Sequence, residues 1–187
     1  MDLQEALLNE RHAAYARLRG GFPIPLAGTI YWGVLGILGY SLDLFTWSMI
    51  AFIGTGAIFP LAILLARLFK NDFMKDKTAV TGVLIPAFIS MLLFWPMLIG
   101  ARLEAPELMV LILAIGLSLH WPVIGWSYGK TGLYSAHSII RAVVVLLIWY
   151  LLPEARLTLL PLSVAAIYLV TVVAIYVDSG QMKKKLS

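Results

Sequence analysis

Leu133-Tyr-Ser-Ala-His137-Ser-Ile-Ile-Arg141-Ala-Val-Val-Val-Leu-Leu-Ile-Trp-Tyr-Leu-Leu152 is an apolar run of twenty residues with an arginine near its middle. Its length is that of a transmembrane helix. Six such runs follow one another between Ile24 and Val177, at roughly 24–42, 45–68, 79–100, 107–127, 132–152 and 157–177, and none has Asp or Glu in its central part. An arginine at bilayer depth costs about 2.5–3.5 kcal/mol on insertion scales, so it faces the bundle interior and finds partners there. With no carboxylate at hand, the partners open to Arg141 are backbone carbonyls, aromatic faces, trapped water or a bound anion.

The rest of the chain agrees with a membrane solvent. Of 187 residues 61% are hydrophobic and 13% charged, against about 25% charged in a soluble domain. Six crossings at about 20 residues each take roughly two thirds of the length. The expected fold is therefore all-α, a polytopic bundle of six transmembrane helices. Residues 1–21 read as a short amphipathic helix, interfacial or packed on the bundle, with Leu3, Leu7, Ala14 and Leu18 near one face. The transmembrane domain covers 22–178 and a basic tail 179–187. The first twenty-one residues lack the apolar stretch of a secretory signal. Absence of cysteine excludes disulfides, thiolate metal sites and cysteine nucleophiles. The net charge of +4 sits beside the spans, as topology requires, and does not point to nucleic acid.

Connections are short, which sets consecutive helices antiparallel. With the N-terminus inside, the inner segments hold Arg11, Arg17, Arg19, Arg67, Lys70, Lys75, Lys77, Lys130, Lys183, Lys184 and Lys185, eleven in all, against Arg102 and Arg156 outside. That bias places both termini in the cytoplasm, with the bacterial cytoplasmic membrane as the expected location and lipid as the surrounding partner. Gly33, Gly36 and Gly39 make a smooth stripe for close helix contact, which leaves self-association open. Gly54, Gly56 and Pro60 are expected to interrupt the second span, Pro86 and Pro96 the third, and Pro122 the fourth. Broken helices of this kind line cavities.

Counting depth at about 1.5 Å per residue from the inner ends collects one layer: His120, His137, Tyr31, Trp32 and Tyr168, with Arg141 just above and Tyr134 just below. Tyr134, His137 and Arg141 share a helix face at i−3 and i+4 spacing. Trp121 lies too deep for an interfacial belt and suits a pocket wall, whereas Trp126 and Tyr128 fall at the inner interface.

Several chemistries fit these residue types. The histidines can be hydrogen-bonded core groups, proton carriers or ligand contacts, since imidazole titrates near neutrality. Two imidazoles are few for a metal, though they could hold one haem iron axially with Arg141 near a propionate. Lys130 belongs to the inner turn, which argues against a buried Schiff base. No His-Glu-x-x-His, Gly-x-Ser-x-Gly or phosphate-binding glycine loop is present, so an intramembrane enzyme has no motif behind it.

From Gly20-Gly21 onward the chain resembles an uncharacterised family of small bacterial six-helix membrane proteins. The resemblance rests on Gly54-Thr-Gly-Ala-Ile-Phe-Pro60, on His120-Trp-Pro with Gly125-Trp126, and on Tyr134-Ser-Ala-His137 with Arg141. It implies architecture and no activity. In size, topology and aromatic content the chain is also similar to the six-helix substrate-binding subunits of vitamin uptake systems. The leading expectation is a pocket that binds or transports a small anionic or amphiphilic molecule, with Arg141, His137, His120, Tyr134, Trp121, Tyr31, Trp32 and Tyr168 as its residues. The alternatives are a scaffold whose buried polar groups are structural, and a bis-histidine haem protein or enzyme.

The charge bias makes a direct prediction. Reporter domains fused after Lys75 and at Ser187 should both read cytoplasmic, and an external signal from either would overturn the orientation.

Overall fold

The structure, a computed structural model, describes residues 2–76, 78 and 80–186. Lys77 and Ser187, used in the topology argument above, lie outside the described residues. The helices run α1 (Leu3–Arg17), α2 (Pro23–Leu38), α3 (Leu44–Leu68), α4 (Leu84–Leu92), α5 (Trp95–Glu104), α6 (Leu108–Gly116), α7 (Trp121–Ser127), α8 (Thr131–Leu151) and α9 (Leu159–Leu186), with no strand among the described residues. Taken with the short turns that join them, they give six stretches long and apolar enough to cross a membrane: Arg19–Leu38, Leu44–Leu68, Thr81–Glu104, Leu108–Ser127, Thr131–Leu151 and Leu159–Leu186. The chain is an all-α integral membrane protein.

Local chemistry starts and stops these helices. The turn before α2 takes three consecutive residues through the left-handed region, Arg19 (φ 47°), Gly20 (φ 59°) and Gly21 (φ 64°), and the two glycines do so without a Cβ to strain. Pro23 then opens α2, where its missing N–H is harmless. Asp43 caps α3 by accepting from the backbone N–H of Phe45 (2.9 Å) and Thr46 (3.0 Å). The Thr46 hydroxyl adds a bond at 2.7 Å and is the main reason the Asp43 carboxyl titrates below its ordinary range.

The N-terminal helix, the segment after α3, the turn between α7 and α8 and the end of α9 gather at one end of the bundle. There Arg17 pairs with Asp76 at 2.7 Å and Lys130 with Asp178 at 2.7 Å, while Asn71 Nδ2 donates to the Leu18 carbonyl at 2.7 Å. The hydrogen bond to Asp76 holds the Arg17 guanidinium above its usual pKa. Both termini therefore share an end. Only the second half of α1 packs: Ala14, Tyr15 and Leu18 are buried, whereas Leu3 and Leu7, read onto the same apolar face, are exposed.

One expectation about helix breaks needs correction. α3 runs through Gly54, Gly56 and Pro60 without interruption. The proline ring crowds the carbonyl four residues back, which here belongs to Gly56, a position with open space around it. Residues 179–186 are helical and continue α9, with Lys183, Lys184 and Lys185 in its last turn, where cations complement the helix dipole.

Packing is tightest between α2 and α9. A Cβ on Gly36 would overlap Leu162 and one on Gly39 the Leu157 backbone, while Gly33 has open space. The close-contact stripe thus continues through Gly28, against Tyr168, instead of through Gly33. α3 is stitched to α2 by two aromatic donors, Trp47 Nε1 to the Leu35 carbonyl (2.9 Å) and Tyr31 hydroxyl to the Ala51 carbonyl (2.7 Å). Gly36→Ala and Gly39→Ala should each destabilise the bundle by about 1–3 kcal/mol. Gly33→Ala should be neutral or stabilising by up to about 1 kcal/mol. Thermal unfolding in mild detergent checks this, and equal effects at all three positions would defeat it.

Candidate functional site

Two spans break near mid-membrane. α4 gives way to α5 just before Trp95-Pro96, and α6 to α7 just before Trp121-Pro122. Proline at the second position of each new helix lacks the N–H that a continuous helix would use. At the second break the exposed backbone is answered across the bundle: the Ser138 hydroxyl on α8 donates to the Ser118 carbonyl at 3.0 Å. This satisfaction by a neighbouring helix is what permits irregular backbone in a membrane. The break carries Trp121 onto α8 and α9 and leaves His120 against Phe88 of α4.

Arg141 is fully buried. Its Nη1 donates to the Tyr168 hydroxyl at 2.8 Å, and its guanidinium carbon lies 5.3 Å from the Trp32 ring centroid and 5.0 Å from that of Tyr168. Nε and Nη2 have no hydrogen-bond partner, and no carboxylate among the described residues pairs with this arginine. The Nε1 donors of Trp32 and Trp121 are also buried and unpartnered. Donors outnumber acceptors here, and the aromatic faces supply only about 0.5–2 kcal/mol each.

His137, one turn before Arg141, is held by Thr171 of α9, Nδ1 to Oγ1 at 2.8 Å. The Thr171 hydroxyl proton goes to the Ile167 carbonyl at 2.8 Å. It follows that Nδ1 of His137 carries the hydrogen and Nε2 is a bare acceptor, which has no donor facing it. Trp121 stacks on His137 (4.2 Å, 28°) and on Tyr134 (5.6 Å, 30°) and meets Tyr168 edge-on (5.5 Å).

The layer read from depth counting does converge. Arg141, His137, Tyr168, Trp32, Trp121 and Tyr134 form one connected cluster, and His120 joins it through Trp121 at 6.0 Å. Two members are turned to other work. Tyr134 spends its hydroxyl on the Gly20 carbonyl (2.6 Å), fixing the turn before α2. Tyr31 spends its own on α3. Sequence reasoning missed Thr171, three residues from Tyr168 on the same face of α9. A lone hydroxyl in an apolar run was the available signal. It also missed Gly28, whose bare Cα lets the Tyr168 ring lie against α2, and Phe88, the α4 ring 5.1 Å from His120.

Two adjoining cavities lie beside this cluster. One, of about 450 Å³, runs between α3 and α4 and reaches Trp95, His120, Trp121 and Tyr168. The other, of about 460 Å³, shares Ile24, Phe59, Phe88 and Trp121 and extends to Asp76, Thr78 and Thr81 at the end where the termini lie. Arg141 lines neither cavity; it stands one hydrogen bond behind the wall, through Tyr168. His137 lines neither as well. With Trp121 stacked on the face of His137 and only His120 lining a cavity wall, neither of these two cavities presents both imidazoles to one haem iron. No group of three His, Asp or Glu suited to a metal comes together among the described residues.

Fold and site together define a small polytopic membrane protein with a buried, carboxylate-free arginine behind an apolar cleft. Within that class the chain belongs to a family of unknown function, DUF7010, which it matches over residues 7–178. No functionally curated protein and no solved structure matches it.

Thr171→Val keeps the shape of that side chain but strips His137 of its one partner. It should cost about 1–3 kcal/mol. Thr29→Val removes only a bond within α2, to the Pro25 carbonyl, and should cost much less. Comparable losses in detergent unfolding would refute the anchoring role.

Proposed function

We propose that the protein binds a small amphiphilic molecule with an anionic end inside the membrane, its apolar body in the cleft between α3 and α4 and its acid end at Tyr168 and Arg141. One observation carries this reading. Among the described residues a fully buried guanidinium has two nitrogens, Nε and Nη2, without a hydrogen-bond partner and no carboxylate to neutralise it, one hydrogen bond behind a cavity wall. An arginine kept only as helix glue would be expected to spend its fork on carbonyls. A carboxylate or phosphate is the acceptor that a guanidinium fork matches in charge and geometry. Tyr168 would serve as the intermediary, its hydroxyl able to accept from Arg141 and donate to the ligand at once. The orientation that goes with this reading has both termini and the Asp76 end of the cleft in the cytoplasm of a bacterial cell, as the basic residues favour. Transport would begin from the same bound state.

Dodecanoate and dodecanol, titrated into purified protein in mild detergent, separate charge recognition from apolar burial. The wild type should prefer the acid by about tenfold, a difference of about 1.4 kcal/mol. Arg141→Gln should abolish the preference, and Arg141→Lys, which keeps the charge without the planar fork, should retain part of it. If Arg141→Gln alters neither acid preference nor thermal stability, the reading fails. A loss of stability with no acid preference in the wild type would instead mark Arg141 as a structural group.

A further inference from the structure

The cleft itself bears on what the ligand is and how it arrives. Its walls are Gly56, Phe59 and Ala62 of α3 on one side and Phe88, Met91 and Leu92 of α4 on the other. Phe59 is 49% exposed, Leu92 47% and Ile85, on the adjoining cavity, 67%. These are lipid-facing positions in the second and third spans, so the cleft opens sideways into the bilayer. Among the described residues, none that lines the cavity at Tyr168 is an Asp, Glu, Lys or Arg. The route from the end of the bundle is different, because it passes Asp76, a carboxylate locked to Arg17 across the mouth. An acid arriving from that side must pass the Arg17–Asp76 ion pair; one arriving from the bilayer passes apolar walls.

Length and charge narrow the class further. The two cavities together follow the third span from Thr81 to Trp95, about 21 Å at 1.5 Å per residue. One leaflet of bilayer hydrocarbon is about 15 Å deep, so one extended chain fits along the cleft with room for a head group. The buried centre offers a single positive charge, from Arg141. A monovalent acid neutralises it, while a doubly charged phosphate would leave an uncompensated charge in a low-dielectric site.

Resting on the binding role proposed above, we infer that the ligand is a single-chain lipid carboxylate that enters laterally from the bilayer between α3 and α4. Its head sits at Tyr168 with Arg141 behind, and its chain lies along Phe59, Phe88, Met91 and Leu92. α3 packs chiefly on α2 and α4 on α7, so α3 and α4 are only lightly packed on each other along the cleft.

Hexadecanoate carrying a diazirine near its chain end locates the chain in membranes containing the full protein. Photolabel should concentrate on residues 55–62 of α3 and 88–92 of α4. Gly56→Trp should lower that labelling by about tenfold or more, because a side chain built there enters open space and fills the cleft. Leu92→Trp does the same from the opposite wall and covers the case in which the first variant fails to fold. Label spread over the lipid-facing residues of α8 and α9, such as Ile139 and Val170, and unchanged by both substitutions would overturn the lateral cleft. If hexadecanoate retention still depends on Arg141 in that case, the binding role survives and the entry route alone is wrong. If retention is indifferent to Arg141→Gln, the binding role falls and the head-group assignment with it.

Discussion

The arrangement of the bundle turns on one buried positive charge, Arg141, that no carboxylate among the described residues neutralises. Arg141 cannot reach either membrane interface from mid-span on α8, so its charge must be accommodated where it stands. The bundle surrounds it with the hydroxyl of Tyr168 and the faces of Trp32 and Tyr168, from α2 and α9. Those two helices are also the pair that glycine lets approach most closely, at Gly28, Gly36 and Gly39. Close approach is what brings two aromatic rings within reach of one guanidinium. A bulkier stripe on α2 would separate the helices and leave the charge in a wider, wetter gap.

The broken helices follow from the same economy of donors and acceptors. A membrane tolerates a frayed turn only if its carbonyls and N–H groups are answered from elsewhere. Ser138 does this for Ser118, and the cluster of rings around Trp121 seals the break against lipid. The result is a closely packed half, in which α9 holds α2 and α8, and a sparsely packed one, in which α4 and α5 leave most of their surface to the surroundings. The cleft lies along the seam between them.

Six spans, the shared end of the termini and the convergence of the aromatic layer were legible in the sequence because each rests on counting. Hydropathy sets the spans, their even number sets the termini, and depth at a fixed rise sets the layer. What was not legible depended on direction around a helix or on a partner far along the chain. Gly54, Gly56 and Pro60 were read as a break since glycine and proline often make one, yet α3 stays continuous through all three. The pairing of His137 with Thr171 joins residues 34 positions apart, beyond any local pattern. The position of Arg141 behind the cavity wall, with Tyr168 between, needs side-chain geometry that no periodicity carries.

That last detail has a consequence for how such a site would work. A cation lining the cavity openly would draw water and counter-ions into the cleft and raise the cost of an apolar occupant. Set one hydrogen bond back, Arg141 leaves the wall of the cavity aromatic and hydroxylic, with Tyr168 and Trp121 presented in place of the charge. Its field still acts through the low-dielectric interior, where Coulomb interactions are strongest. An apolar chain and an acid head can then be accommodated by one site, the first by contact with the wall and the second by the charge behind it. Tyr168 is the residue on which both depend, since it belongs to the wall and to the arginine at the same time.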